Sequence, residues 1–381
     1  MKNQIIKLIT VFTLAFSVVS CTKDDNNETI AKLPTILEIA QADQANFSIL
    51  IAALNKTGLN ATVSGPGSYT VFAPTNAAMI AGGVTEASIA ALNTSSTAST
   101  TEIAAVSSVR RLLQNHILGV ATKADDLLVA GYVKTFASGI GSTNLSMFIE
   151  KVGNDVLVNG GTAIIGGKVT SPNIDASNGI VHVVDGLLKL PKLVDHIKIN
   201  PNLNTLESII TTTAFGDQSV VFGLVNTAST NAVYASNNTN PAMTIFAPLD
   251  SAFTAATASG GYLTGANFDP ATNLAANVTK VLQYHVSQSL PFTAPAVAAV
   301  GNMNATSATA WIAATATSNA TIRTLALNSV PANQTFSIEK GTLKITDVPV
   351  ATAPASIIKT VNIQATNGVI HTIDRVLRPT L

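Results

Sequence analysis

Charge is scarce in this 381-residue chain: Asp, Glu, Lys and Arg make up 11% of it, against about 25% in an average soluble protein. The two signs balance to a formal net charge of zero. A nucleic-acid binder needs a clustered Lys/Arg surface for phosphates, so that class is excluded. A disordered polyelectrolyte is excluded by the same scarcity. Cys21 is the sole cysteine, which rules out a disulfide framework and a thiolate zinc site. Five histidines far apart in sequence leave little for a metal centre or a His-based catalytic site. The hydrophobic share, 47%, is ordinary, so Ala, Thr, Asn, Ser and Gly have taken the place of charge. At about 150 residues per domain the length allows two or three domains. The expectation is a globular, neutral protein that is not an enzyme and needs no cofactor or metal.

Residues 1–20 read as an address. Lys2 and Lys7 supply a positive start, and Leu8–Val19 form an apolar run shorter than the roughly 20 residues that span a bilayer. A signal peptide is therefore expected. Cys21 follows Val18-Val19-Ser20 and resembles the lipobox cysteine of bacterial lipoproteins, acylated after cleavage before it. That resemblance implies a membrane-held mature N-terminus, since two or more acyl chains anchor stably. Residues 21–32 (CTKDDNNETIAK) are a polar tether. Thr22 and the Lys23-Asp24-Asp25 cluster resemble signals for release to the outer membrane and export to its surface.

The remainder is one unit written twice, which must be settled before single residues are interpreted. Thr70-Val-Phe-Ala-Pro-Thr-Asn76 returns as Thr244-Ile-Phe-Ala-Pro-Leu-Asp250. Val109–Ile117, carrying His116, returns as Val278–Val286, carrying His285. Asn178-Gly-Ile-Val-His-Val-Val-Asp185 returns as Asn367-Gly-Val-Ile-His-Thr-Ile-Asp374. The offset is roughly 170 to 190 residues, a duplicated domain and not a short-repeat solenoid. The expected domains are 33–194 and 199–381, meeting in Leu190–Pro201. These blocks resemble the signature segments of fasciclin domains: Thr70, Phe72, Pro74 and Thr75 with Thr244, Phe246 and Pro248; His116; Asn178, Gly179, His182 and Asp185 with Asn367, Gly368, His371 and Asp374. The resemblance implies an α+β fold in each copy, a mostly antiparallel β-wedge packed with a cluster of helices. It also implies an extracellular or surface protein of adhesion and matrix or polysaccharide contact.

Local patterns agree with that architecture. Ile36, Ile39 and Ala40, then Phe47, Leu50, Ile51 and Leu54, have amphipathic helical spacing. Tyr69–Ala73 is a strand stopped by Pro74, with Thr75 placed to cap a following helix. In the second copy that capping falls to Asp250. Phe148–Val158 reads as a hairpin around Gly153-Asn154, and Phe336–Ile345 as its counterpart.

His182 and His371 each precede an Asp by three residues, which suggests a His–Asp pair. On a strand, however, residues three apart point to opposite faces. His182 shares a face with Ile180 and Val184, and Asp185 with Val181 and Val183. Both histidines are therefore expected to be buried and structural, with Asp185 and Asp374 bonded to backbone. His116 and His285 lie on apolar helical faces. The resemblance ties a Tyr-His pair here to adhesion; copy two keeps Tyr284-His285, while copy one has Asn115-His116. It also ties adhesion in animal relatives to an Asp-Ile pair, which here reads Asn173-Ile174 and Asn362-Ile363, so the acid is absent from both. Trp311, the sole tryptophan, offers a flat face to a sugar ring, but a lone Trp without a platform is more often a core or loop anchor. Two functions remain. One is a surface-anchored module that binds matrix, polysaccharide or another cell. The other is an envelope structural protein partnering an outer-membrane component.

Overall fold

Thr35 opens the first helix by a reciprocal cap. Its hydroxyl accepts the Glu38 amide at 3.2 Å while the Glu38 carboxylate accepts the Thr35 amide at 2.7 Å, satisfying two donors that a helix start leaves unpaired. The helix Ile36–Ala42 buries Ile36 and Ala40. Gln44–Thr57 follows, buries Phe47, Leu50 and Leu54, and ends at Gly58 with φ 71, the left-handed stop that glycine takes at low cost. The computed structural model describes residues 32–127, 131–139, 143–162, 164–211, 243–258, 262–264, 274–288, 320–327, 333–339, 342–347 and 354–379. Trp311 and Cys21, with the whole leader and tether, lie outside the described residues. Among the described residues no helix is long and apolar enough to cross a membrane.

The first copy is built on seven strands: β1 (Tyr69–Pro74), β2 (Ile117–Leu118), β3 (Gly131–Ser138), β4 (Asn144–Val152), β5 (Asp155–Val158), β6 (Gly167–Ala176) and β7 (Gly179–Val184). They close into a barrel. All pairs are antiparallel except β1 with β7. That parallel pair brings the two strand blocks of the sequence side by side, with Phe72 opposite His182. The second copy runs β8 (Met243–Pro248), β9 (Val286–Gln288), β10 (Ala320–Leu327), β11 (Asn333–Glu339), β12 (Lys344–Asp347), β13 (Ser356–Ala365) and β14 (Gly368–Ile373). Its order, β10-β11-β12-β13-β14-β8-β9, repeats the first copy's, again with one parallel pair, β8 with β14. The α+β reading thus holds in both copies.

Each sheet has two apolar sides, so each copy has two cores. In the first, Phe72, Met147, Ile149, Val158 and Val184 fill the barrel, while Val71, Val181, Leu50, Leu54 and Leu113 join the helices to its outside. Phe72 and Phe246 are fully buried, each contributing about 1.5–3 kcal/mol by transfer from water. Thr75 caps Asn76–Ala81 by accepting the Ala78 amide at 3.2 Å, as expected. The expected cap by Asp250 is corrected. Leu249 holds the cap position with no side-chain bond, and the Asp250 carboxylate accepts the Thr205 amide at 2.7 Å. One residue inside the helix, its side chain reaches a neighbouring helix instead of its own first turn. The 148–158 hairpin turns at Gly153, φ 63.

The helix Leu193–Ile199 repeats the role of Ile36–Ala42. The Leu193 amide donates to the Asn367 side chain at 2.9 Å as the Ile36 amide donates to Asn178, and Leu193, Val194 and Ile197 lie in the second copy's helical core. Leu193 and Val194, the last residues of the expected first domain, open this helix, whose buried side lies in the second copy's helical core.

The two copies pack on each other. Tyr132 on β3 meets His196 edge-on, ring centres 5.4 Å apart. Lys134 donates to the Asn362 carbonyl at 2.6 Å and to Ser146 Oγ at 2.9 Å. The Gln364 amide donates to Ser146 Oγ at 2.9 Å, and Thr143 to Gln364 Oε1 at 2.9 Å. Burial pulls the Lys134 ammonium down to about 8.

Candidate functional site

The marked histidines hold the frame together. Asn173 donates its amide to His182 Nδ1 at 3.2 Å, so that nitrogen is unprotonated and Nε2 donates to the Thr122 carbonyl at 2.9 Å. His182 stacks on Phe72 with ring centres 5.5 Å apart. His371 repeats this: the Asn362 amide donates to its Nδ1 at 3.2 Å, and it stacks on Phe246. Asp185 accepts the Lys168 amide at 2.7 Å and Asp374 the Ile357 amide at 2.7 Å. The acids therefore clasp backbone on the opposite face, as the strand period requires.

His116 and His285 lie just past their helices. Each accepts a remote amide at Nε2, from Leu188 at 3.0 Å and Leu377 at 2.8 Å. Each then donates from Nδ1 to the carbonyl four residues back, at 3.0 and 2.7 Å. Burial lowers both to about 4. Asn178 ties three segments, accepting from Ile36 and donating to the Val63 and Gly65 carbonyls at 2.9 and 2.8 Å. Gly179 has no alternative: its φ is 154, and a Cβ there would strike the Tyr69 carbonyl. Thr70 accepts the Thr122 amide at 2.8 Å and donates to the Val120 carbonyl at 2.6 Å, whereas the buried Thr244 hydroxyl has no partner among the described residues.

The candidate contact residues separate sharply. Tyr284 is fully buried against Phe336, ring centres 5.8 Å apart, and His285 is buried beside it. Asn115, in the Tyr position of copy one, is equally buried and donates to the Leu188 and Lys189 carbonyls. Tyr284 and His285, expected as candidate contact residues, thus lie in the core of the second copy. Asn362 and Ile363 sit in the contact between the copies, Ile363 being 1% exposed. Ile363 is buried there, while Asn362 stays partly exposed. Asn173 and Ile174 are left half-exposed.

Asn173 occupies a bulge of β6 at φ 62, and Asn362 the equivalent bulge of β13 at φ 61. Asn tolerates this left-handed conformation better than other non-glycine residues. Its side chain accepts the Ala124 amide at 2.7 Å. Beside it opens a groove of about 460 Å³ lined by Asp125, Lys151, Asp155, Lys168, Thr170 and Asn173, among others. Lys168 pairs with Asp155 at 2.7 Å, and the four charged side chains balance. The groove offers amide, hydroxyl and charged groups whose formal charges sum to zero. Among the described residues no cluster of His, Cys, Asp or Glu could hold a metal.

Sequence reasoning did not find Lys134, Ser146 or the groove charges. Lys and Ser on a strand carry no signal of what another domain will place opposite.

The Fasciclin domain family matches this chain twice, over residues 45–191 and 216–379. The uncharacterized protein sll1735 of Synechocystis sp. is 28% identical over 159 residues, 41% of this chain and 98% of that protein. A solved FAS1 domain pair from the insect cell adhesion molecule fasciclin I is similar over 91% of this chain and 97% of its own, at 16% identity and a TM-score of 0.44. The repeated blocks carry the shared frame, and with both family matches together covering most of its length, the chain belongs to the fasciclin domain family as a tandem pair.

Proposed function

We propose that this protein is a surface-anchored adhesion module that binds a neutral polysaccharide through the polar groove of its first domain. Fasciclin domains are in general cell-adhesion or interaction modules. The observation that carries the finer reading is the groove beside Asn173. It adjoins the first domain's bulge, where Asn173 and Ile174 are both half-exposed, and the charges of its lining sum to zero. A lipid on Cys21, at the outer membrane and facing outward, would present that groove beyond the cell surface on the polar 21–32 tether. No catalysis, cofactor or nucleic-acid partner is part of this reading.

The test is a glycan and matrix-protein screen with residues 34–381, at low salt and at about 0.5 M, where surface charges are strongly screened. Binding that survives salt and weakens in Asn173→Gly supports the groove. Glycine keeps the left-handed backbone, so this substitution removes the amide without strain. Binding abolished by modest salt, or unchanged in Asn173→Gly and Thr170→Ala, refutes it. No binding at all, with the protein facing the periplasm, favours an envelope structural role.

A further inference from the structure

One ionisable side chain is bonded to both walls of the groove beside Asn173. The β6 bulge puts Pro172 and Asn173 out of register with β7, between Ser171 and Ile174, and His182 of β7 takes up the backbone this leaves unpaired. Its Nδ1 accepts the Asn173 amide at 3.2 Å, and its Nε2 donates to the Thr122 carbonyl at 2.9 Å. Pro172 and Asn173 belong to the β6 wall of the groove. Ala124 and Asp125, just beyond Thr122, belong to the wall made by the loop after β2. The walls also meet directly, Asn173 Oδ1 accepting the Ala124 amide at 2.7 Å.

We propose that His182 is a proton-operated latch on this groove: neutral, it holds the β6 wall to the loop wall, and protonated, it lets the β6 wall go. This regulation rests on the groove being the binding site. Imidazole accepts at Nδ1 only while that nitrogen carries no proton. A second proton makes Nδ1 a donor aimed at the Asn173 amide, itself a donor, so the bond is lost and two N–H groups oppose each other. The Thr122 bond survives, because Nε2 donates in both states. Acid therefore frees one wall and keeps the other. Asn173 is held at a φ of 62, a conformation that persists only where its surroundings impose it. Once released, the bulge relaxes and draws its side chain off the Ala124 amide.

The surroundings of His182 suit a titrating latch. Phe72, on which it stacks, and Val184, on its own face of β7, belong to the apolar filling of the barrel, and β1 brings no charged residue. On β6, Asp175 is paired with Lys123 of the loop at 3.5 Å. Asp185 of β7 accepts the Lys168 amide on the opposite face, and Lys168 pairs with Asp155. Asp125, Asp126 and Lys151 are exposed. Burial lowers His182 below the usual 6.5, so the latched state is present above pH 6.5 and is lost as pH falls below it. The second copy supplies an internal comparison. Asn362 makes the same amide bond to His371, but burial, with the Lys134 charge added, lowers His371 to about 4, and Lys134 also binds the Asn362 carbonyl. That bulge stays latched where the first is released.

The experiment is a nuclear magnetic resonance titration of isotope-labelled Pro34–Leu381, a compact unit apart from residues 1–33, from about pH 7.5 to about pH 5.5, the range around the ordinary histidine value. It reads the His182 ring nitrogens and the exchange protection of three amides: Asn173, Asn362 and Phe72, whose amide bonds the His116 carbonyl in the frame. Protection at Asn173 should fall at least tenfold more than at Phe72, in step with the His182 ring, while Asn362 follows Phe72. His182→Gln supplies an acceptor and a donor that do not titrate, and should keep Asn173 protected at the acid end. If that variant does not fold, the comparison within wild type decides alone. A His182 ring that stays neutral throughout, equal loss at Asn173 and Phe72, matching loss at Asn362, or an unchanged acid response in His182→Gln would overturn the proposal. The readout needs no ligand, so it fails separately from the glycan screen that tests the groove itself.

Discussion

Acid should unfold this protein well above the pH at which its carboxylates protonate, because its histidines are buried neutral. His116, His196, His285 and His371 are each at most 3% exposed, and burial lowers all four to about 4 from the usual 6.5. Lys134 between the domains further disfavours protonation of His196 and His371. A histidine depressed in the folded state contributes its stability above pH 6.5, and that stability is lost as pH falls toward 4. At pH 5 the loss is about 2 kcal/mol per histidine, or about 8 kcal/mol for four. Asp347 acts in the opposite sense. Burial raises it to about 7, so it stabilises below that pH, returning about 3 kcal/mol at pH 5. The net loss of about 5 kcal/mol compares with a total stability of about 5–15 kcal/mol for a typical domain. Urea unfolding followed by far-UV circular dichroism at pH 7.5, 6 and 5 measures it. The midpoint should fall steeply between pH 6 and 5, with an uptake of about two to three protons on unfolding near pH 5. A midpoint that is flat from pH 7.5 to 5 would refute the reasoning, since it requires histidines that titrate alike folded and unfolded.

Other substitutions probe separate parts of the frame. Asn178→Ala removes two buried hydrogen bonds and one part-buried one and should cost about 2–4 kcal/mol, read as a lower urea midpoint and faster proteolysis near residues 34–42. Gly179→Ala forces a Cβ onto the Tyr69 carbonyl and should destabilise by about 3 kcal/mol or more, measured by thermal unfolding. Tyr132→Ala with Lys134→Ala strips the contact between the copies; small-angle scattering should then report a longer, more variable particle while circular dichroism stays unchanged. Cys21→Ser should move the protein from the membrane to the soluble fraction and abolish labelling by fatty acid. An unaltered distribution would show that another element anchors it.

Much of the fold was legible because it is local chemistry repeated. The Thr75 cap, the Tyr69–Pro74 strand and the Gly153-Asn154 turn each follow from neighbours in sequence. The strand period alone predicted that His182 and Asp185 would face apart, and the duplication located both copies of every block. Which histidine nitrogen carries the proton was beyond the sequence, since it depends on amides from Asn173, Leu188, Asn362 and Leu377. So was the fate of the contact residues. Asn173-Ile174 and Asn362-Ile363 are identical in type and motif, and their asparagines in backbone angle, yet Ile174 is half-exposed and Ile363 is buried. That difference arises because Lys134 and Ser146, more than two hundred residues before Asn362, are carried onto it by the packing of one domain on the other. A sequence motif fixes the conformation of its own residues, but exposure is a property of whatever arrives from elsewhere in the chain, and only the tertiary structure decides that.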